Sequence, residues 1–427
     1  MKKFLKEVII FILRLESRAV LFIKKPKIIA ITGTVGKTTT KDILYAGLKN
    51  SFRVRKSPKG FNSDIGVLLA ILNLETNSFS VKAWLINIIK GFFVIFSKNY
   101  PELLILEVGA NYPKEIENSA RLLKADIVIF TRLPKIMAHM EFFKDRQDFI
   151  NEKLSLARYS NKDSVIFYNG DDKSLVKEMS NEIFKENKKI SFGKKSEYSF
   201  NEVSIKYIKN KLEGVQVKFR DIEVNLKGVL GEHLGYPVST LLAITENLKL
   251  NKEKIIKSFE NNFEPAPGRM RIFQGLNNTT IIDDSYNALP ESVKNGVEIF
   301  DKLKTDGRKI YVLGRLAELG DYTEIAYQKA IEYIRKSCDI IISVNDGGLA
   351  EKYINNLNFK EAYYFNQDEN NFFNNTNESG MFLKKYLKKG DLVIFKGARH
   401  STGFEKAISK LIKPEDVKYL VQDHLED

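Results

Sequence analysis

Residues 27–48 read KIIAITGTVGKTTTKDILYAGL, and no other segment limits the fold as tightly. A β-branched run ends at Gly33, a short loop follows, and a helix-forming stretch opens at Lys37. Strand, glycine loop and helix in that order open a parallel α/β unit. The loop chemistry is equally restrictive. Gly36 lets backbone N–H groups close around phosphate oxygens, and the helix start adds positive potential. Lys37 can reach a β- or γ-phosphate, and the Thr38 hydroxyl can join a Mg2+ shell. Gly33, Thr34 and Thr39 complete the loop and the first helical turn. Ile31 stands where the longer G-x-x-x-x-G-K-[ST] pattern has its first glycine. The shorter G-x-x-G-K-T form therefore draws its weight from the strand before it and the helix after it.

The alternation continues along the chain. Strands are predicted at 103–107, 126–130 and 164–168, with helices near 113–123 and 145–159. Alternating residues over 189–230 predict antiparallel hairpins, and 234–261 reads as helix. Pro265-Ala266-Pro267-Gly268 is the clearest linker signal. Beyond it a second α/β pattern has strands at 279–283, 309–313, 339–344, 361–365 and 391–395, and helices at 290–304 and 322–337. The asparagine-dense stretch 366–377 reads as a loop. The expected class is α/β: a P-loop ATP-binding domain with a parallel sheet over 27–264, a Rossmann-like C-terminal domain over 265–427, and an amphipathic helix within 1–26.

Charge narrows the function classes. The 427 residues carry 68 Lys and Arg against 54 Asp and Glu, a net +14. Residues 1–60 hold 15 of the basic residues and only Glu7, Glu16 and Asp42, so +12 lies there and +2 in the rest. That distribution, with no nucleic-acid motif, argues against a nucleic-acid binder. The single cysteine, Cys338, excludes an intramolecular disulfide framework and a Cys-cluster metal site, and reads as an inert core thiol at the start of a buried strand. Residues 4–23 carry charges at Lys6, Glu7, Arg14, Glu16 and Arg18, too many for a membrane span. They read as an amphipathic helix with basic flanks suited to a membrane interface, the alternative being a helix packed on the core. Residues 81–96, with Trp84 and Lys82, Lys90 and Lys98 in and around them, allow the same two readings.

Three side chains outside the loop are candidates for chemistry. Glu107 ends an apolar strand, where open α/β sheets bind ligands, so it is a metal ligand or a solvated strand end. His139 is one of four histidines and follows a predicted strand and its loop. Lys153, taken alone on a predicted helix, reads as a solvated lysine.

Several separated strings together resemble one family. They are ITGTVGKTTTKDIL (31–44), GFNSDIGV (60–67), LEVGANYPKEI (106–116), AHMEFF (138–143) with NEK (151–153), GEH (231–233), PGRM (267–270), DDSYNALPESV (283–293), VLGRLAELG (312–320) and KGARH (396–400). In this order they are similar to the Mur ligases, ATP-dependent amide-forming enzymes of peptidoglycan synthesis. DDSYNA with LAELG resembles the branch that adds D-alanyl-D-alanine. The resemblance implies that Lys37 and Thr38 hold ATP phosphates and Mg2+, and that Glu107 and His139 are Mg2+ ligands. It implies that Lys153, fourteen residues after His139, is carbamylated and holds a second Mg2+. It also implies that Arg269 approaches the phosphates and that Asp283 or Asp284 meets the nucleotide ribose, beside Tyr286 and Asn287. Asn62, Lys396 and Arg399 fall where the substrates are expected. The implied substrates are a muropeptide carboxylate and a D-Ala-D-Ala-like amine, with the Pro265–Gly268 linker as hinge.

The chain departs from the family pattern at several places. Only 26 residues precede the first strand, so the usual UDP-sugar-binding front domain is expected to be absent, replaced or supplied by a partner. The stretch 76–100 looks longer than usual. Pro237 stands where the family commonly has an adenine-contacting Asn, Leu289 replaces an Asn, and Arg315 replaces an acid. These changes touch substrate recognition and leave the phosphate and metal residues in place. They motivate an alternative, a ligase of the same chemistry with a membrane-linked acceptor.

Overall fold

The run Ile28–Ile31 is apolar on both faces, as a strand covered by helices on both sides requires. In the computed structural model it forms β1 (Lys27–Thr32), with its side chains buried from Ile28 onward. The structure describes residues 3–75, 80–133, 142–316, 319, 322–366, 372–422 and 425. The chain divides into two compact units. One comprises 1–203, 217–224 and 233–263; the other comprises 204–216, 225–232 and 264–427.

In the first unit β1 lies between β3 (Leu103–Glu107) and β4 (Ile127–Phe130), and runs parallel to both. With β2 (Val54–Lys56), β5 (Val165–Asn169), β6 (Lys188–Gly193) and β7 (Tyr198–Ser199) it makes a seven-stranded sheet of order β2-β3-β1-β4-β5-β6-β7. One face packs on α1 (Lys3–Lys24), α3 (Asp64–Leu72), α5 (Glu115–Leu123) and α6 (Arg146–Arg158) through Ile9, Leu13, Val67, Ile116 and Phe149. α2 (Lys37–Leu48) packs closely on the helix Gly235–Asn247, where a Cβ on Gly47 would stand 2.7 Å from Leu241 Cδ1. α4 (Val81–Val94) lies outside α1, burying only Trp84, Asn87 and Gly91.

A separate three-stranded sheet has the order β10-β9-β8, from β8 (Glu202–Ile208), β9 (Lys211–Phe219) and β10 (Ile222–Lys227). The second unit holds a six-stranded sheet of order β11-β12-β16-β13-β14-β15. Its strands are β11 (Arg271–Gln274), β12 (Thr280–Asp284), β13 (Lys309–Leu313), β14 (Ile340–Val344), β15 (Glu361–Phe365) and β16 (Leu392–Lys396). All pairings are parallel except β11 with β12.

Four expectations change. Residues 188–193 pair parallel with β5 and belong to the large sheet, not to a hairpin. The predicted helix 234–261 is two helices, Gly235–Asn247 and Lys252–Asn262, broken where Lys249 takes a φ of 54° and Asn251 caps the second through Lys254 N–H. Within the asparagine-dense stretch a helix begins, Phe372–Tyr386. Its buried Asn375 donates to Asn345 Oδ1 at 2.9 Å, so tertiary partners outweigh the poor helix propensity of asparagine. Cys338 is buried as expected, with its thiol pushed up to about 12 chiefly by burial, but it caps the helix Thr323–Ser337 instead of starting β14. Among the described residues no helix is long and apolar enough to cross a membrane.

Candidate active site

The loop after β1 is pressed against the end of β4. Gly33 has a φ of +139°, and a Cβ there would lie 2.1 Å from Thr131 Oγ1, so the close approach requires glycine. Thr34 N–H donates to Arg132 O at 2.8 Å. Gly36, at φ 90°, caps α2 in the left-handed conformation and sends Lys37, Thr38 and Thr39 into its first turn. The Lys37 ammonium donates to Gly33 O at 2.8 Å and to Thr34 O at 3.2 Å, and so lies over its own loop. The buried Thr34 Oγ1 has no hydrogen-bond partner among the described residues. A glycine-walled cradle, a helix N-terminus, a lysine over the loop and a spare hydroxyl fit an ATP phosphate chain.

Glu107, at the end of β3, is 5% exposed. Its Oε2 accepts from Thr38 Oγ1 at 3.0 Å and from the buried Lys41 Nζ at 3.4 Å, while Oε1 accepts from Asn62 Nδ2 at 3.3 Å. Its own N–H donates to Ser57 Oγ at 3.0 Å. A carboxylate and a hydroxyl 3.0 Å apart, held by several modest hydrogen bonds, fit a Mg2+ that keeps most of its waters. Asn62 sits just before α3, whose first residue, Asp64, is tied to α1 by Arg14 at 2.6 Å.

Lys153 departs from the solvated lysine that its sequence position alone suggests. It is 3% exposed, and its ammonium lies 4.6 Å from the centre of the Phe149 ring. Its pKa is pulled down to about 7, first by burial and then by the Lys37 charge, against the pull of Glu152. Glu152 itself caps α5, accepting from Ile116 N–H at 2.7 Å and Lys114 N–H at 3.0 Å. A buried, easily neutralised amine is the form that can attack CO2. Among the described residues no three His, Cys, Asp or Glu side chains cluster as a metal site; the predicted ligand His139 lies outside the described residues.

The remaining candidates gather in the second unit. Gly268, at φ +68°, donates to Asp283 Oδ2 at 3.1 Å and accepts from Tyr286 N–H at 2.9 Å. Two guanidiniums approach the Tyr286 ring, Arg269 at 4.4 Å and Arg399 at 4.7 Å from its centre. Burial pushes the Asp283 carboxyl up, and bonds from Ser285 pull it back. Asp284 is also pushed up by burial, against the pull of the buried Lys396, 2.6 Å away. Asn287 is exposed and accepts from Ala288 N–H at 2.7 Å. Pro237 stands in the first turn of its helix, where proline is tolerated. The sequence reading missed Lys41; its position one turn after Lys37 on α2 was the available signal.

The model of the Mur ligase middle domain matches residues 31–243, and that of the Mur ligase glutamate ligase domain matches 268–399. A UDP-N-acetylmuramoyl-tripeptide–D-alanyl-D-alanine ligase of Bacillus subtilis (strain 168) is 26% identical over 388 residues, covering 91% of this chain and 76% of its own. The enzyme of the same name from Borreliella burgdorferi is 27% identical over 378 residues, covering 87% and 72%. Among solved structures, MurF ligase from Thermotoga maritima in complex with ADP superposes with a TM-score of 0.70 at 23% identity, covering 94% of this chain and 83% of that one. MurF from Acinetobacter baumannii gives 0.73 at 21% identity, covering 93% and 79%. With both family models matching in order over most of its length, the chain belongs to the Mur ligase family.

Proposed function

We propose that the chain is an ATP-dependent ligase that joins D-alanyl-D-alanine to the terminal carboxylate of a UDP-MurNAc-tripeptide, as the printed names of its relatives describe for them. The observation that carries the reading is the phosphate loop with Glu107 and the buried Lys153 arranged around it. In this reading the acceptor carboxylate attacks the γ-phosphorus of ATP, ADP leaves, and an acyl phosphate forms. The amine then attacks the acyl carbon, and phosphate leaves as the amide forms and a proton is lost. Two anions must meet in the first step, so Lys37 and the loop N–H groups offset charge and align the attack. Thr38, Glu107 and His139 would hold Mg2+, and Lys153, as a carbamate, a second one. The metal would supply Lewis-acid neutralisation of the phosphate oxygens. Asn62 would position the acceptor. Arg269, Asp283, Asp284, Tyr286 and Asn287 would serve the nucleotide, and Arg399 and Lys396 the incoming amino compound or the phosphates.

Phosphate release that requires ATP, UDP-MurNAc-tripeptide and D-alanyl-D-alanine together tests this. No turnover with any such pair sinks the substrate assignment. A second reading keeps the chemistry and takes a membrane-linked acceptor. It is supported by the exposed apolar residues of α1 and α4. In it the chain works on the cytoplasmic side, touching the inner face of the membrane through 4–23 and 81–96.

A further inference from the structure

We propose that the outer face of α1 and α4 docks on an anionic lipid bilayer, with α4 resting in the apolar boundary and the cleft beside the end of α1 taking a headgroup phosphate. This deepens the membrane contact of the second reading and rests on it. It does not depend on which acceptor the ligase uses.

α1 is apolar on two sides. Ile9, Leu13 and Val20 are buried in the core, while Phe11, Leu15 and Phe22 are exposed. The spacing of Phe11, Leu15, Arg18 and Phe22 puts them on one helical stripe. α4 packs beside it, where a Cβ on Gly91 would stand 2.2 Å from Glu16 Oε2. Its outward stripe holds Leu85, Ile89, Phe92 and Phe93, with Phe93 64% exposed, and the exposed Phe96 follows just past its end. A soluble face has no reason to expose so many large apolar side chains on adjoining helices. The charges among them choose the occupant. Lys6, Arg18, Lys82 and Lys90 are exposed on the two helices, and Glu7 is the only exposed acid there. A second copy of the chain would bring the same positive charge to the contact, whereas anionic headgroups complement it.

At the end of α1 a cleft of about 560 Å³ is lined by Arg18, Lys25, Arg121 and Lys124 over Pro26 and Ile28, with Phe22, 76% exposed, among its walls. Asp126 is its one acid, and it accepts from Ile28 N–H at 2.8 Å and Asn161 Nδ2 at 3.2 Å. Arg121 pairs with Glu117 at 2.7 Å. Arg18, Lys25 and Lys124 make no ion pair among the described residues. Two helix C-termini meet the cleft and take up roughly half a charge each. Set against four cations, those ends and the two acids leave an excess of about one positive charge beside an apolar wall. A phosphate that carries an apolar chain matches that pairing; a free phosphate uses only half of it.

The test is sedimentation of the full chain with phosphatidylcholine vesicles, with and without phosphatidylglycerol. Wild type is expected to bind the anionic vesicles at least roughly tenfold more tightly, at about fivefold per effective cation. Phe92→Ser with Phe93→Ser should weaken binding to both by about tenfold. Arg18→Glu with Lys124→Glu should abolish the anionic preference alone; all four positions are exposed, so these variants should fold. If the charge variant keeps the full preference, the cleft is not the headgroup site and the membrane contact stands. Displacement by millimolar inorganic phosphate would make the cleft a free-anion site and overturn the lipid assignment. If wild type binds no vesicle and dimerises until the Phe92 and Phe93 substitutions are made, the face is a contact between copies, and both the docking and the membrane contact fall. None of these readouts uses turnover.

Discussion

Each unit buries a lysine against a carboxylate, and the two pairs are built differently. In the second unit Asp284 and Lys396 are register partners on adjacent parallel strands, 2.6 Å apart. In the first unit Lys41 stands 3.4 Å from Glu107, whose oxygens are shared with Thr38 and Asn62. A short pair between register partners ties two strands together, and Arg269 and the Met270 N–H add to the pull on Asp284. A carboxylate held by several longer bonds at the carboxyl edge of a sheet can exchange a donor for a metal ion at little cost. The difference teaches that burial alone does not mark the reactive carboxylate; the number and length of its bonds do.

The largest expected effect falls on chemistry at the loosely held carboxylate. Glu107→Gln keeps the shape and the bond to Thr38 but removes the charge that would hold Mg2+. Turnover in the phosphate-release assay is expected to fall about 10³-fold. Retained turnover would end both the metal assignment and the contrast. Next is stability. Lys396→Met removes the cation 2.6 Å from the largely buried Asp284 and should cost about 3 kcal/mol in urea unfolding of the full chain at pH 8. The loss should be smaller at pH 5, because burial already raises the Asp284 carboxyl and it takes a proton more readily without Lys396. Lys41→Met should cost only about 1 kcal/mol, since Thr38 and Asn62 still donate to Glu107. Equal losses would break the comparison.

How much of this was legible in the sequence depends on distance along the chain. β1, the loop and α2 are one local segment, and every residue that shapes the loop announces itself there. Most parallel strands were also readable as short apolar runs, but β2 and β7 are too short to stand out, and the mixed pattern of Lys188–Gly193 reads as a hairpin strand although it pairs parallel with β5. β11 was not, since Arg271–Gln274 directly follows the Pro-Gly linker and its pairing with β12 is tertiary. The Lys41–Glu107 contact joins residues 66 positions apart, and no local pattern announces it. Lys153 looked ordinary because its burial comes from packing around α6, not from its neighbours in sequence.

Lys153 then extends the contrast to a buried lysine that forms no ion pair among the described residues, Glu152 acting on it only at a distance. Its amine, pulled down to about 7, is substantially neutral near physiological pH and so available for carbamylation. Lys153→Ala should lower turnover about 10²-fold, and millimolar acetate or another short carboxylate should restore part of it. Full activity of the variant without added carboxylate would remove the carbamate from the mechanism.

The last effect concerns a third buried carboxylate, one with no cation paired to it among the described residues. Glu16 faces Gly91 of α4, its Oε2 has no hydrogen-bond partner among the described residues, and burial pushes its pKa up to about 7. In the unfolded chain a glutamate titrates near 4.3, at about its ordinary value. Between those two values the folded state binds the extra proton. The stabilisation is therefore complete below the unfolded value and is lost as pH rises through about 7. Glu16→Gln is neutral at every pH and keeps the shape. Wild type and variant should unfold alike at pH 4, and the variant should be the more stable of the two at pH 8. Thermal melts at the two pH values check this. A difference that does not change with pH would mean that Glu16 is as well compensated as Asp284, and the ranking of the three carboxylates by their partners would fail at its unpaired end.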